Sequence, residues 1–138
     1  MKALSLIQPW ALAIMLGYKK IETRSWKTDY RGRIAIHASK RFSKDDQEFM
    51  RHEHALGREY PLEIPLGAII GFATLVRCER TEHWRTIVDE LEESYGDYSV
   101  GRWGWEFKNI EPIKIPISCR GSLGLWEVPS ELLTAIYF

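Results

Sequence analysis

The sequence predicts an α+β fold in which about six short strands form a mixed, partly closed barrel with helices packed outside it. Three observations predict this class. Short strand signals alternate with helix signals along the 138 residues, the connections after the first and third strands read as helical crossovers, and no repeat, low-complexity tract or linker divides the chain. A chain of this length fits one domain. We therefore expect residues 1–138 to form a single domain whose core needs no disulfide or structural metal.

Apolar residues at alternating or helical spacing predict where the strands and helices lie. We expect strands or short extended segments at residues 2–6, 21–24, 33–37, 68–78, 101–109, 113–117 and 124–128. We expect helices at residues 9–17, 43–56, 81–91 and 131–137. Ser43 with Asp46, and Thr81, resemble helix caps. Pro112 and Pro116 favour an edge position or a strand end, because proline cannot donate to a strand ladder.

Charge is balanced over the whole chain but not along it. Nineteen Lys and Arg residues match nineteen Asp and Glu residues, so bulk charge does not indicate a nucleic-acid-binding protein. Residues 19–44, however, carry nine basic residues against two acidic ones, a surplus of seven. This segment can give the fold one basic face that attracts a polyanion.

The sequence lacks the signals of several other protein classes. Its longest apolar run, residues 68–76, is far too short for a bilayer-spanning helix, and residues 1–16 lack the pattern of a signal peptide. We therefore expect a cytoplasmic protein with no membrane partner. Cys78 and Cys119 are isolated, and the histidines show no zinc-site spacing, so we expect free thiols, no metal and no cofactor. No P-loop, Gly-x-Ser-x-Gly or dinucleotide-binding glycine motif is present.

Charged residues concentrate at the predicted helix-to-strand junction, residues 17–24. Side chains two apart share one face of an extended segment, so Glu22 and Arg24 point together, and Lys20 joins them if the strand begins there. Lys19 lies in the turn and can reach the same cleft. A guanidinium suits a phosphate or carboxylate, and a carboxylate can orient it or accept a base amino group. The alternative is an exposed row of salt bridges on an edge strand.

Two neighbouring segments supply further candidates. Gln8 and Trp10 stand where the first strand gives way to a helix, so Gln8 and the helix N-terminus can meet an anion or a base edge. Trp26, Tyr30 and Arg31 interleave aromatic rings with a cation, which suits base stacking combined with phosphate contact. The alternative for Trp26 is a place in the core behind a hairpin.

The predicted strand at residues 33–37 runs into polar residues that include Lys40. We expect Ile34 and Ile36 on one face of this strand and Ala35 with His37 on the other. His37 is a candidate contact to a base or phosphate, and Lys40 lies beyond it. The alternative for His37 is a histidine held by structural hydrogen bonds.

Taken together, these residues resemble the ASCH (activating-signal-cointegrator homology) domain, a group of PUA-like domains. Residues Gly17-x-Lys19-x-x-Glu22-x-Arg24 match its Gly-x-Lys-x-x-Glu-x-Arg signature. The resemblance covers nearly the whole chain, in order, and includes Gln8-Pro9-Trp10-Ala11, Arg24-Ser25-Trp26, Tyr30-Arg31-Gly32-Arg33, Leu66-Gly67, Ile70-Gly71, Lys108-Asn109 and Leu125-Trp126.

The resemblance implies a PUA-like pseudobarrel whose signature residues line a cleft between the first helix and the barrel, with Trp126 nearby. Related PUA, YTH and EVE domains bind RNA or modified bases in a cleft. One ASCH branch resembles an amidohydrolase that deacylates N4-acetylcytidine with a Lys, a Thr and a Glu. Lys19 matches that Lys, but Glu22 stands where the Thr would be, and residues 71–76 contain no carboxylate where the Glu would be. Another branch is ribonuclease-like, and no distinct acid/base pair can be assigned for that chemistry here.

The sequence therefore predicts a monomeric module that binds RNA, single-stranded DNA or a free nucleotide in a cleft lined by Lys, Glu and Arg. The expected binding residues are Gln8, Trp10, Lys19, Glu22, Arg24, Trp26, Tyr30, Arg31, His37, Lys40 and Trp126. One alternative is a small hydrolase acting on a modified nucleoside or on RNA, with Lys19 and Glu22 as the proton-transfer pair. A second alternative is a protein-interaction domain that shares the fold.

Overall fold

A curled six-stranded sheet with helices packed against it organises the part of the chain that the computed structural model describes, residues 1–137. The predicted α+β class with about six strands is confirmed. The elements in chain order are β1 (Lys2–Leu6), α1 (Trp10–Met15), β2 (Ile21–Arg24), β3 (Gly32–Ala38), α2 (Lys44–Ala55), β4 (Ala68–Arg80), α3 (Thr81–Trp84), α4 (Glu90–Ser94), β5 (Trp103–Ser118), β6 (Leu125–Glu127) and α5 (Ser130–Tyr137).

The order of the strands is β2-β5-β4-β3-β1-β6. The β1–β3 pair is parallel and the other neighbouring pairs are antiparallel. A parallel pair needs a crossover connection rather than a tight turn, and here the chain passes through α1 and β2 before it returns to β3. Three strands separate β1 from β2 in the sheet, yet Arg24 of β2 donates a hydrogen bond to the carbonyl of Ser5 in β1. The sheet is therefore curled enough to bring these two strands together around a cleft.

Alternation along the strands divides the buried side chains between the two faces of the sheet. Ile34 and Ile36 belong to the larger core, which α1 covers, and Ala35 belongs to a second core that α5 covers. The prediction that these residues face opposite sides is confirmed. The helix α1 lies so close to β4 that a Cβ at Gly71 would collide with the sulfur of Met15. Glycine at this position thus permits the close packing of the end of α1 against the sheet.

The helix predicted at residues 81–91 is two shorter helices instead. The first, α3, ends at Trp84, whose indole donates a hydrogen bond to the carbonyl of Gly104. The second, α4, begins at Glu90, because the side chain of Asp89 accepts the N–H of Glu92 and caps a new helix. The expectation of one continuous helix was wrong because Asp89 restarts the helix where the apolar spacing alone predicts continuation.

The strands predicted at residues 101–109 and 113–117 are one strand, β5, with register irregularities against β4. Asn109 has a positive φ of 52°, a conformation that asparagine tolerates better than most residues. The partner β2 covers only residues 103–106 of β5. The later half of β5 is therefore an edge, where the backbones of Pro112 and Pro116 need no second ladder.

One of the two predicted caps is present and the other is wrong, because Thr81 is the first residue of α3, after Arg80, and its hydroxyl donates to the carbonyl of Ser99 instead of capping the helix. Ser43 and Asp46 form a capping box at the start of α2, as the spacing predicts. The peptide bond between Gln8 and Pro9 is cis. Among residues 1–137 the structure contains no helix that is long and apolar enough to cross a membrane.

Candidate functional site

A cleft of about 610 Å³ opens where β1 ends, α1 begins and β2 runs alongside. Its fourth wall is the loop between α4 and β5. The residues that line it are Ser5, Ile7, Trp10, Glu22, Thr23, Arg24, Ser94, Tyr95, Gly96, Asp97 and Arg102. The structure therefore brings three of the predicted site residues, Trp10, Glu22 and Arg24, into one concave surface.

Glu22 lies at the centre of a three-residue ionic cluster. Its Oε1 is 3.3 Å from the Nζ of Lys19, and its Oε2 accepts from Nε of Arg24 at 3.1 Å. Lys19 is almost fully buried, with 1% of its side chain exposed, and also donates to the carbonyl of Tyr95. Lys20 is exposed and lines a different pocket, because β2 begins one residue later. The buried Lys19 thus fixes Glu22 by an ion pair on the side away from the cleft, and Glu22 in turn orients Arg24 at the surface of the cleft.

Arg24 keeps hydrogen-bonding capacity for a ligand. Its Nη2 donates to the carbonyl of Ser5 at 2.7 Å and lies 3.0 Å from Oε2 of Glu22. Its Nη1 makes no hydrogen bond within residues 1–137. A guanidinium has five N–H donors in a rigid fork. Since the bonds to Glu22 and Ser5 hold the plane of this fork, the two donors on Nη1 are presented in a fixed direction.

Hydrogen bonds from one backbone N–H and one side chain tie the loop between α4 and β5 to Thr23 of β2. Asp97 donates its N–H to the hydroxyl of Thr23 at 3.0 Å, and Arg102 donates from Nη2 to the carbonyl of Thr23 at 3.2 Å. Arg102 also binds the carbonyl of Asp97. Together with the bond from Lys19 to the carbonyl of Tyr95, these contacts hold the far wall of the cleft at a fixed distance from Glu22 and Arg24.

Trp10 contributes an aromatic wall. Its ring stacks on Phe49 of α2, with centroids 5.0 Å apart and an interplanar angle of 30°. Phe49 packs in turn against the edge of the Tyr95 ring at 6.2 Å. A tryptophan supported on one side by another ring is a rigid platform, and such platforms suit the stacking of a nucleobase.

Gln8 is fully buried and does not line the cleft. Its Oε1 accepts the N–H of Leu12, and its Nε2 donates to the carbonyl of Pro65. Both ends of the amide are therefore used to hold the first turn of α1. Gln8 therefore holds the start of α1, which carries Trp10, and does not face a ligand itself.

Trp26, Tyr30 and Arg31 also lie outside the residues that line the cleft. Trp26 packs edge-to-face on Trp105 at 4.6 Å, beside the larger core, and Tyr30 packs against the same core. Arg31 is exposed and folds back onto the carbonyls of Thr28 and Tyr30. This segment therefore makes mostly local and core contacts, in agreement with the alternative considered for Trp26.

His37, Lys40 and Trp126 belong to the neighbourhood of a second pocket, on the other side of Ser5. His37 is buried between the hydroxyl of Ser5, 2.9 Å from Nδ1, and the carbonyl of Cys119, 2.9 Å from Nε2. Because a carbonyl only accepts, Nε2 carries the proton and Nδ1 accepts from Ser5. Burial lowers the pKa of His37, against a smaller raising effect of the bond to Cys119. The ring is therefore neutral near pH 7 and supplies no charge.

Sequence reasoning did not find the wall formed by Tyr95, Asp97 and Arg102. These residues are separated from the signature by more than 70 positions, and only the tertiary fold brings them to β2. A basic residue after Gly101 and an acidic residue in the loop after α4 carry no spacing signal of their own.

The described part of the chain offers little support for a nucleophile or a metal at this site. No group of three His, Cys, Asp or Glu side chains in residues 1–137 is placed to hold a metal ion. The Thr23 hydroxyl accepts from Asp97, and Thr74, another hydroxyl considered from the sequence, lies near Arg33 and outside the cleft lining. The arrangement instead provides an oriented guanidinium, a held carboxylate and an aromatic platform.

Comparison with known proteins agrees with the signature. The chain matches the family model of the ASCH domain over residues 4–116. Activating signal cointegrator 1 of Mus musculus is 27% identical over 134 residues, which cover 94% of this chain and 22% of that protein, and the Homo sapiens protein is 26% identical over the same shares. The chain thus spans about a fifth of the length of these curated relatives.

Solved structures show the same fold. The crystal structure of ASCH from Zymomonas mobilis has a TM-score of 0.61 at 17% identity, with 99% of this chain and 92% of that chain covered. A mutant of the same Zymomonas protein gives 0.61 at 18% identity, with 99% and 95% covered. Because the family model matches well over half of the residues and the PUA-like fold agrees, this chain belongs to the ASCH domain family.

Proposed function

We propose that this protein binds single-stranded nucleic acid, RNA above all, by holding one nucleobase in the cleft between α1, β2 and the α4–β5 loop. The observation that carries the proposal is the pair Glu22–Arg24, fixed by Lys19 and Ser5, with the Nη1 donors of Arg24 unused beside the platform of Trp10. An aromatic face with a few fixed polar groups is the arrangement by which proteins select an unstacked base.

The charge of the cleft favours a base over a polyphosphate. Two arginines, Arg24 and Arg102, stand against two carboxylates, Glu22 and Asp97. Such a balanced lining gives little net attraction to a chain of phosphates. It does offer donors and aromatic area to the edge and face of a base.

Long-range attraction comes from outside the cleft. Several basic residues of the segment 19–44 are exposed, namely Lys20, Lys27, Arg31, Lys40, Arg41 and Lys44. Charges of this kind add affinity for any polyanion and make binding dependent on salt. We therefore expect the protein to prefer strands over free nucleosides, and the preference to weaken as salt rises.

The hydrolase alternative is less well supported. The proton-transfer pair considered from the sequence needs Lys19 at the substrate, whereas Lys19 is buried behind Glu22 and does not line the cleft. Both oxygens of Glu22 are occupied, one by Lys19 and one by Arg24. A carboxylate held this way orients its partners more readily than it activates water.

The proposal is tested by fluorescence anisotropy with labelled eight-nucleotide RNA and DNA single strands at several salt concentrations. Trp10→Ala should lower the affinity by about 1–3 kcal/mol, the usual value of one stacked base, and Trp10→Phe should keep most of it. If the wild-type protein binds neither strand at low salt, the proposal fails and the protein-interaction alternative gains. If Trp10→Ala and Trp10→Phe bind as the wild type does, the base is not in this cleft.

Three expectations from the sequence remain predictions alongside this function: a cytoplasmic location, a monomeric state and a single domain over residues 1–138. Cys78 and Cys119 are both free in the structure. Sedimentation of the purified protein would measure the oligomeric state directly.

A further inference from the structure

A second pocket of about 770 Å³ lies beside the cleft, and the proposed function leaves it unused. It is bounded by the end of β3, the start of β4 and the loop that follows β5. Ser5 lines both the pocket and the cleft. The occupant of the second pocket follows from the proposed function of the cleft.

The second pocket is basic, unlike the cleft. Its charged lining residues are Lys40 and Arg120, and no Asp or Glu lines it among residues 1–137. Neither cation forms an ion pair within the described part of the chain. The stem of Lys40 runs over Gly67, where a Cβ would lie 2.9 Å from its Cγ. The absence of a side chain at Gly67 thus lets Lys40 lie along the wall of the pocket.

Ser5 places the two spaces next to each other. Its carbonyl accepts the bond from Arg24 on the cleft side, at 2.7 Å, and its hydroxyl is 2.9 Å from His37 on the pocket side. The loop after β5 packs directly on this residue, since a Cβ at Gly121 would lie 2.5 Å from the Ser5 hydroxyl oxygen. One residue of β1 therefore separates the oriented guanidinium of the cleft from the second pocket.

The second pocket also contains unused hydrogen-bonding capacity. The hydroxyl of Ser39, which lines it, is buried and has no hydrogen-bond partner among residues 1–137. Buried polar groups are nearly always satisfied by protein, water or ligand. Two unpaired cations and serine hydroxyls form the chemistry that holds a phosphate oxygen, whereas His37, neutral and bonded at both nitrogens, serves as a structural support.

We propose that the second pocket binds the phosphodiester group adjacent to the base held in the cleft. The ligand of the ASCH cleft in this protein is then a strand of at least two nucleotides rather than a free nucleoside. The cleft selects the base through Trp10 and Arg24, and the pocket adds affinity through Lys40 and Arg120. Recognition of the base and recognition of the backbone are carried by two separate sets of residues.

The test compares the double variant Lys40→Gln/Arg120→Gln with a matched control, Arg41→Gln/Lys44→Gln. The control removes two exposed cations close in sequence that line neither space. Each protein is titrated with uridine, with the dinucleotide UpU and with an eight-nucleotide single-stranded RNA at several salt concentrations. A polyglutamate peptide is included as a second polyanion.

We expect the double variant to lose about tenfold in affinity for the RNA, and the slope of log K against log salt to fall by about 0.7, the value for one lost phosphate contact on a single strand. UpU should show most of this loss, and uridine binding should not change. Arg41→Gln/Lys44→Gln should lose less affinity for UpU than Lys40→Gln/Arg120→Gln does.

The inference and the proposed function fail in different ways. If Trp10→Ala weakens RNA binding while the two double variants behave alike, the base cleft stands and the phosphate pocket is wrong. If no RNA, UpU or uridine binds to the wild type, both are wrong. If the Lys40→Gln/Arg120→Gln variant loses affinity for polyglutamate and not for RNA, the pocket is a docking site for an acidic protein segment and the inference is overturned.

Discussion

Glu22 and Glu53 are two carboxylates of the same fold, each held by an arginine and each connected to Tyr95. Glu22 lies in the cleft cluster with Lys19 and Arg24, where Lys19 donates to the Tyr95 carbonyl. Glu53 lies at the end of α2, in a cluster with Arg58, whose guanidinium stacks over the Tyr95 ring at 5.7 Å. Each cluster thus pairs a carboxylate with an arginine. The first cluster contacts the backbone carbonyl of Tyr95, and the second contacts its ring.

The clusters differ in what remains for a ligand. Arg58 uses Nε and Nη2 on the same oxygen of Glu53, and its face is covered by Tyr95. The other oxygen of Glu53 accepts from Tyr60, and only 2% of the Glu53 side chain is exposed. Arg24, in contrast, lines the cleft, and the N–H donors of its Nη1 make no hydrogen bond within residues 1–137. An arginine fixed by a carboxylate can bind a ligand only when it keeps unused N–H donors and a surface that the ligand can reach. The Glu22 cluster is therefore functional in our proposal, and the Glu53 cluster is structural.

The largest effect that separates the clusters is on stability. Glu53→Ala leaves Arg58, 19% of whose side chain is exposed, as an unpaired charge and should lower the free energy of unfolding by about 3 kcal/mol, the lower end of the range for a broken buried pair. Urea unfolding followed by tryptophan fluorescence measures the change. Glu48→Ala is the matched control, because Glu48 pairs with Arg51 on the exposed face of the same helix.

For Glu48→Ala we expect a change of no more than about 1 kcal/mol, the usual worth of an exposed pair. Equal losses for the two alanine variants would mean that the Glu53 cluster does not hold α2 and the loop after it. The assignment of this cluster as structural would then be wrong.

The second prediction is a crossed pattern between two arginines. Arg24→Ala should weaken RNA binding by about 1–3 kcal/mol, the value of a charge-assisted contact in a partly buried site. Arg58→Ala should weaken binding less and lower stability more, because Arg58 does not line the cleft. Anisotropy titrations and urea unfolding of both variants provide the two measurements. If Arg58→Ala has the larger effect on binding, the distinction between the two clusters does not hold.

Local spacing explains why the sequence predicts one cluster and not the other. Glu22 and Arg24 are two apart on a strand, so a period of two places them on one face before any tertiary structure is known. Glu53 and Arg58 are five apart across the end of a helix, a spacing that no regular element brings together. Their meeting depends on the turn after Ala55, where the N–H of Arg58 returns to the carbonyl of Glu53.

The same limit applies to the walls of the cleft. The fold class and most strands follow from alternation and turn residues, and the first wall follows from the signature. The wall formed by the loop between α4 and β5 does not follow from the sequence, because Tyr95 contacts Lys19 across 76 positions of sequence. The single helix expected at residues 81–91 was wrong for a related reason, since the packing of Trp84 and the cap at Asp89 outweigh the apolar spacing. Contacts set by tertiary packing leave no periodic pattern in the sequence.

A third, smaller prediction concerns acid. Burial alone would raise the pKa of Glu53, but the hydrogen bonds and charge of Arg58, with help from the neighbouring tyrosines, hold it below the ordinary value of 4.5. The unfolded chain therefore binds this proton more tightly than the folded protein. The stabilisation from Glu53 is fully present above about pH 4.5 and is lost as the pH falls through the lower folded value.

Urea unfolding of the wild type and of Glu53→Gln between pH 3 and 6 measures this contribution. Stability of the wild type should fall with acid, and Glu53→Gln should show a slope smaller by at most about 1.4 kcal/mol per pH unit, the value for one proton. Parallel slopes for the two proteins would show that Glu53 titrates alike in the folded and unfolded states, in conflict with the closed geometry of its cluster.

The last prediction is that the protein does not hydrolyse N4-acetylcytidine, so that Lys19→Ala has no effect on this reaction. Amide hydrolysis needs an activated nucleophile and donors for the oxyanion. The related amidohydrolase chemistry uses a threonine hydroxyl where this chain has Glu22, and here Glu22 is already bonded to Lys19 and Arg24. Purified protein should release acetate from N4-acetylcytidine no faster than Lys19→Ala does. Release by the wild type that is lost in Lys19→Ala would mean that the lysine behind Glu22 reaches the substrate, and the cleft cluster would be a catalytic site instead of a binding one.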